Sequence, residues 1–161
     1  MEQRWDFFKQ GETTWGEFYP THYILAGYES DADAQAAEEA FRASGVAAED
    51  VRAATGQFVA GYLETRGDRN ALDKLGSKLA DAVGTENEFV AQDKLFARRG
   101  GAFLFVYAPR EQDAENAKAV FASHPPTFAR RYLHVAIEEL VLHKDKVHTI
   151  RGTDTPRGQQ P

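Results

Sequence analysis

The chain of 161 residues has no cysteine and a single methionine. Without cysteine there can be no disulfide framework, no thiolate-held zinc or iron–sulfur cluster and no thiol nucleophile, and a reducing compartment is the expected setting. Long hydrophobic runs are also missing: none approaches the roughly 20 apolar residues of a membrane-spanning helix. The opening Met1-Glu2-Gln3-Arg4-Trp5-Asp6 has neither the basic start nor the apolar stretch of a secretion signal. The expectation is a cytoplasmic protein with no membrane span. Basic charge is in deficit, with 19 Lys and Arg against 25 Asp and Glu for a net charge of −6. Attraction to a phosphate backbone or an anionic membrane is therefore disfavoured unless the cations cluster.

What is present suits one compact domain. Hydrophobic residues make up 42% of the chain and charged ones 27%, and a domain of this size typically buries roughly 68–70% of its unfolded surface without help from a metal or cross-link. The aromatic residues are unevenly placed. Of 19, eight (Trp5, Phe7, Phe8, Trp15, Phe18, Tyr19, Tyr23 and Tyr28) lie in the first 28 positions.

A weak internal repeat organises the rest. A shift of 80 positions sets Tyr23-Ile24-Leu25-Ala26 on Phe103-Leu104-Phe105-Val106, Asp33-Ala34 on Asp113-Ala114, Ala37 on Ala117 and Phe41 on Phe121. Each copy reads as an apolar strand, a polar turn and a helix with one apolar stripe at i, i+3 and i+7. Ser30 or Asp31 can cap the first helix, and Gly45 can end it. The second helix opens after Pro109 and stops at Pro125-Pro126, because proline cannot donate into a helical ladder. A strand candidate follows each helix. Val51, Ala53 and Thr55 alternate with Arg52 and Ala54 over 50–55, and Phe128 to Ile137 reads as one longer strand with Ala129, Arg131, Leu133, Val135 and Ile137 on one face.

Between the halves lies a helical insert at about 68–99. Asp68 can cap a helix striped by Leu72, Leu75, Leu79 and Val83 and ended by Gly84. Thr85 and Glu88 form a capping-box pattern that opens a second helix through Phe89, Gln92 and Phe96 to Arg99, with Gly100-Gly101 as its stop. The segment 56–65 alternates like a strand at Phe58, Ala60 and Tyr62 but fits a short helix equally.

Two β-α-β halves imply an α+β fold, the ferredoxin-like split βαβ sandwich, with a four-stranded antiparallel sheet and helices on one face. The other face then needs covering by the insert, by the aromatic N-terminus or by a second subunit. The expected layout is an aromatic N-terminal arm at 1–21, a single α+β domain at 22–143 and a polar flexible tail at 144–161.

The run Tyr23-Ile24-Leu25-Ala26-Gly27-Tyr28, then Ala34, Ala37, Phe41, Gly45 and Glu49-Asp50-Val51, resembles the N-terminal βαβ unit of bacterial heat-induced or general stress proteins. The stretch Phe96-Ala97-Arg98-Arg99-Gly100-Gly101-Ala102-Phe103-Leu104-Phe105-Val106 is similar to the second half of small bacterial stress-associated domains, in which a helix ends in Arg-Gly-Gly before an apolar strand. The segment from Trp5-Asp6-Phe7-Phe8 to Phe18-Tyr19-Pro20-Thr21-His22-Tyr23 resembles a set of bacterial proteins of this length. Together these cover roughly residues 5–140. The resemblance implies a stress-associated role and assigns no catalytic residue.

Few residues converge on chemistry. Arg98-Arg99-Gly100-Gly101 has the composition of an anion loop. The same residues also suit a helix C-terminus, where Arg complements the dipole and Gly ends the helix. Arg130, Tyr132 and His134 share one face of the last strand while Arg131 takes the other, so the two arginines form no cluster for nucleic acid. The histidines (His22, His124, His134, His143, His148) show no metal spacing, and Glu138-Glu139 are adjacent and point apart. No nucleophile, base and orienter come together, and neither a cofactor nor a metal is expected.

The favoured reading is a non-enzymatic, stress-associated binding or regulatory domain that self-associates as a homo-oligomer or meets a protein partner. Its interface candidates are Trp5, Phe8, Trp15, Phe18 and Tyr19, since aromatic side chains bury large area with little rotamer loss. The competing reading is a small-ligand sensor or cofactor-free enzyme with a pocket between sheet and insert, where Arg98, Arg99, Tyr132 and His134 orient an acidic ligand.

Overall fold

A computed structural model describes residues 21–73, 80–133 and 136–142, with the side chains of 65–87 excepted. The arm residues Trp5, Phe8, Trp15, Phe18 and Tyr19, His134, the segment 74–79 with Leu75 and Leu79, and the tail at 144–161 lie outside the described residues, as do the side chains of Leu72 and Val83.

In chain order the elements are β1 (Tyr23–Tyr28), α1 (Asp31–Ala43), a short 3₁₀ turn (Ala48–Asp50), β2 (Val51–Ala54), α2 (Gly56–Asp73), α3 (Ala80–Arg98), β3 (Ala102–Tyr107), α4 (Glu111–Ser123), β4 (Phe128–Tyr132) and β5 (Ile137–Val141). The fold is α+β. Its five strands form one sheet in the order β2-β3-β1-β4-β5, and every neighbouring pair is antiparallel.

The repeat is carried by the strand–helix units. α1 and α4 are each 13 residues long, and they bury equivalent positions: Ala34, Ala37 and Phe41 in one, Ala114, Ala117 and Phe121 in the other. Local punctuation explains their ends. The Ser30 hydroxyl accepts from the Asp33 N–H at 3.1 Å, satisfying a donor that the first helical turn leaves open. Gly45, at φ +102°, takes the left-handed conformation that closes the helix. In α4 the Arg110 N–H donates to Asp113 Oδ2 at 2.9 Å, the backbone half of a capping box.

The insert departs from the sequence reading. Thr55, rather than Asp68, opens the first helix: its Oγ1 accepts from the Phe58 N–H at 3.3 Å, and the ambiguous stretch from Gly56 is helical throughout. Gly84 ends nothing and Thr85 starts nothing, because α3 runs through both from Ala80 to Arg98. One internal glycine costs a helix only about 1 kcal/mol, which the packing of its C-terminal half readily offsets.

The expected single strand over Phe128–Ile137 is a hairpin. The Leu133 N–H donates to the Ala136 carbonyl at 2.8 Å, and β5 folds back so that Ile137 pairs with Tyr132 and Glu138 with Arg131. The sheet accordingly has five strands instead of four, and Ala129 and Ile137 fall on opposite sides of it. A register shift beside Ala129 marks a bulge in this edge pair.

Both faces of the sheet are covered. Ile24, Ala26, Leu104, Val106 and Val51 pack under α1 and α4, where Phe41 meets Phe121 edge to face at 5.4 Å. On the other side Leu25, Phe103, Phe105 and Phe128 pack under Val59 and Leu63 of α2 and Val90 and Phe96 of α3. Phe96 stands edge-on to both Phe103 and Phe128, a favoured geometry for aromatic pairs. Among the described residues, the insert covers this second face. No helix among the described residues is long and apolar enough to cross a membrane.

Candidate functional site

β4 positions two neighbouring arginines that serve opposite faces. Strand alternation sends Arg130 toward the insert and Arg131 toward α4, and both are 3% exposed. Burying a guanidinium is costly unless its charge and its N–H groups are met. Arg130 is met on three sides: it pairs with Asp93 of α3, donates to the Tyr132 hydroxyl at 3.4 Å, and lies between the rings of Phe89 and Phe128, at 4.4 and 4.6 Å from their centroids. Cation–π attraction of this kind strengthens as water is excluded. Arg131 donates through Nε to the Ala108 carbonyl at 3.0 Å and through Nη1 to Glu111 at 2.9 Å, with Glu138 at 3.6 Å. It thereby ties β4 to the start of α4 and to β5.

The residues singled out for a ligand divide between surface and interior. Arg98 and Arg99 are exposed at the C-terminal end of α3. Arg98 faces Glu64 at 3.8 Å, and the Arg99 guanidinium sits 5.8 Å from the centre of the Phe96 ring. Tyr132 is 1% exposed beneath the insert, and His134 lies outside the described residues. The expected acidic-ligand set is therefore not assembled by its arginines. Arg130 and Asp93 occupy the layer between sheet and insert instead. Asp93 was missed, although its position signals it: Phe89, Asp93 and Phe96 share the i, i+4, i+7 stripe of α3, and a carboxylate on an apolar stripe needs a buried cation.

A concave surface lies on the other side of the sheet. A groove of about 910 Å³ runs between α1 and α4 over the end of β3, a size in the range of ligand-binding clefts. Its walls are small and apolar, with Ala40, Ala43, Val46, Ala117 and Ala119 around Phe41. Ser44, Asp50, Arg110, Asp113, Asn116 and Ser123 supply polar groups to its lining. The Arg110 guanidinium donates to Asp113 at 2.7 Å, and that hydrogen bond, the largest of several influences, holds the Asp113 carboxyl below the usual range. Asp113 caps α4 and Arg110 pairs with it, so these two side chains satisfy each other. Among the described residues no group of three His, Asp or Glu side chains is placed to hold a metal.

The edge of the sheet nearest α1 is also occupied. Glu38 reaches across from α1, and its Oε2 accepts from the Ala53 backbone N–H at 2.7 Å while Oε1 pairs with Arg42. An edge-strand donor that would otherwise template pairing with another chain is thus satisfied internally.

No family model, curated protein or solved structure matches the chain.

Proposed function

We propose that this protein is a non-enzymatic binding or regulatory domain, of the stress-associated kind its sequence resembles, and that the groove between α1 and α4 is its docking surface for a protein segment. The observation that carries the reading is a groove of about 910 Å³ with small apolar walls on a molecule whose sheet is covered on both faces. With Glu38 on the Ala53 N–H and a bulge in the β4–β5 pair, the sheet edges are poor sites for association. Self-association in this proposal therefore runs through the groove, where alanine walls allow a neighbouring chain to approach closely. The proposal includes a ferredoxin-like plan with β5 added, supported by the strand order β2-β3-β1-β4 and the β1-α1-β2 and β3-α4-β4 connections.

Native mass measured across a concentration series tests it. The expected result is a mass that rises above the 17.9 kDa of one chain and returns to it when Ala43→Glu and Ala119→Glu place carboxylates on the groove walls. A single-chain mass at every concentration removes self-association from the proposal. A raised mass indifferent to both substitutions removes the groove.

A further inference from the structure

We propose that the partner taken by the groove is a cationic amphipathic helix, with its apolar face between α1 and α4 and its lysines or arginines over the acidic margin at the end of α1. The inference rests on the groove being the docking surface, and it names the chemistry of what docks there.

Charge is segregated in this fold. The two connections on the groove side of the sheet, 29–50 with α1 and 108–127 with α4, hold ten acidic residues against Arg42, Arg110 and Lys118, a net charge of −7. The whole chain carries −6, so the remainder is near neutral and the acidity belongs to this layer. On the α4 side the bases are already paired, Arg110 with Asp113 and Lys118 with Glu115. On the α1 side Arg42 pairs with Glu38, while Glu39 and Glu49 are exposed and, among the described residues, make no ion pair. Glu39 directly precedes Ala40 of the groove wall, and Glu49 precedes Asp50, which lines the groove. The C-terminus of α1, where Ser44 and Gly45 also line the groove, adds the negative pole of the helix dipole. The positive pole of α4 is answered by Glu111 and Asp113 in its own first turn. Cations are therefore favoured at this end of the groove. A second copy brings a like-charged layer against it, so self-association through the groove should strengthen as salt screens the repulsion.

Backbone chemistry selects a helix. The strand residues lining the groove, Val106 and Tyr107, belong to β3, which lies between β1 and β2. No strand edge among these lining residues offers a free row of backbone groups, so an extended segment would bury its own N–H and C=O groups with no ladder to join. A helix satisfies those groups internally. Ala40, Ala43 and Ala47 on one wall and Ala119 on the other carry no bulk beyond Cβ, which lets a third helix approach closely and seat a ridge of its side chains in the groove. The occupant therefore presents apolar residues at i, i+3 or i+4 and i+7, with basic residues along the flank that faces Glu39 and Glu49.

Three fluorescent peptides of about 18 residues, ~27 Å as a helix, test this against the full chain by anisotropy, at protein concentrations below those at which the native mass rises. One carries a leucine stripe flanked by lysines, one the same stripe flanked by glutamates, and one the lysine composition with its stripe scrambled. The expected result is saturable binding of the striped lysine peptide alone, weakening by about tenfold or more from low to high NaCl. Glu39→Lys with Glu49→Lys should weaken it by about tenfold or more and admit the glutamate peptide. Glu64→Lys with Glu88→Lys makes the same change of net charge at exposed positions of α2 and α3, across the sheet from the groove, and should leave binding within about twofold. Ala43→Gln with Ala119→Gln, at exposed positions, keeps the charge and puts amides on the walls, and should weaken the lysine peptide by about tenfold. Circular dichroism verifies that each variant is folded. Equal binding of the lysine and glutamate peptides overturns the cationic partner, and equal binding of the scrambled peptide overturns the helix. Equal loss in the two charge-reversed proteins reduces the effect to net charge and also overturns the proposal. In each of these cases sensitivity to Ala43→Gln with Ala119→Gln keeps the groove as the docking surface, whereas indifference to that pair removes the groove as well. Binding of none of the peptides overturns the proposal, and the groove as an interface between copies is then decided by the native-mass series.

Discussion

Asp93 of α3 and Arg130 of β4 form an ion pair in the interior, with Asp93 fully buried and Arg130 only 3% exposed. The pair joins the insert to the sheet, and each partner removed alone leaves an uncompensated buried charge. Asp93→Ala and Arg130→Ala are each expected to cost about 3–5 kcal/mol, read as a drop in the denaturant midpoint. The double substitution Asp93→Leu with Arg130→Met should recover most of that loss, because no charge is then left without its partner. If the double variant is as unstable as the sum of the singles, the pair contributes through something other than mutual neutralisation.

Glu38 protects the edge of the sheet. Glu38→Ala removes the acceptor of the Ala53 N–H, with an expected cost of about 1.5–3 kcal/mol, as for a hydrogen bond to a charged group. Hydrogen exchange gives the residue-level measurement: the Ala53 amide should exchange faster in the variant while the amides of β1 keep their protection.

Gly56 opens α2 against the end of α3. A methyl group there would run into the backbone carbonyl of Gly101 and into Ala97. Backbone cannot rotate aside as a side chain can, so Gly56→Ala should destabilise by about 1–3 kcal/mol, the usual range for overpacking. The melting temperature measures this. Gly61→Ala in the same helix meets nothing within 4 Å and should hold or raise it.

Asp113 gives the acid dependence a specific origin. Its folded carboxyl is held low, first by the hydrogen bond from the Arg110 side chain, whereas the unfolded carboxyl titrates near about 3.9. A depressed folded value means the contribution is complete above the unfolded value and lost as pH falls through the folded one. An NMR titration should show the Asp113 carboxyl titrating below the usual range and moving back toward it in Arg110→Ala.

Tyr28 provides the alkaline counterpart. Its hydroxyl donates to the His124 carbonyl at 2.8 Å, and burial, reinforced by the charge of Asp33, pushes its phenol well above the ordinary value. A raised folded value keeps its full contribution below the unfolded value of about 10, and that contribution falls as pH rises beyond it. Tyr28→Phe should flatten the loss of stability above this pH, seen as a smaller change in denaturant midpoint between neutral and alkaline solution.

How much of this was legible varies by element. The two strand–helix units could be read because their signals are local: a cap at Ser30, a left-handed glycine at 45, a proline at 109 and an apolar stripe on each helix. The β4–β5 hairpin could not. Its turn, between Leu133 and Ala136, carries no glycine, proline or asparagine, the residues whose backbone preferences announce a turn. The join between insert and sheet was hidden for a different reason. Asp93 and Arg130 are 37 residues apart, and nothing local couples them beyond the oddity of a carboxylate on an apolar stripe. One clue to the covered face was present, because β1 and β3 are almost unbroken apolar runs. A strand open to water on one side alternates, and a strand buried on both does not.

Local sequence determined the features whose causes lie within a few residues: the ends of α1 and α4, the strand–helix order of the two repeated units, the absence of thiol chemistry and the aromatic crowding of the first 28 positions. Tertiary structure alone decided which layer covers the second face of the sheet, which two buried arginines are met by which acids, and that a groove opens between the C-terminal end of α1 and α4. Those outcomes depend on surfaces formed by residues distant in sequence. Their energies come from excluding water between two elements at once, and no single segment carries that information.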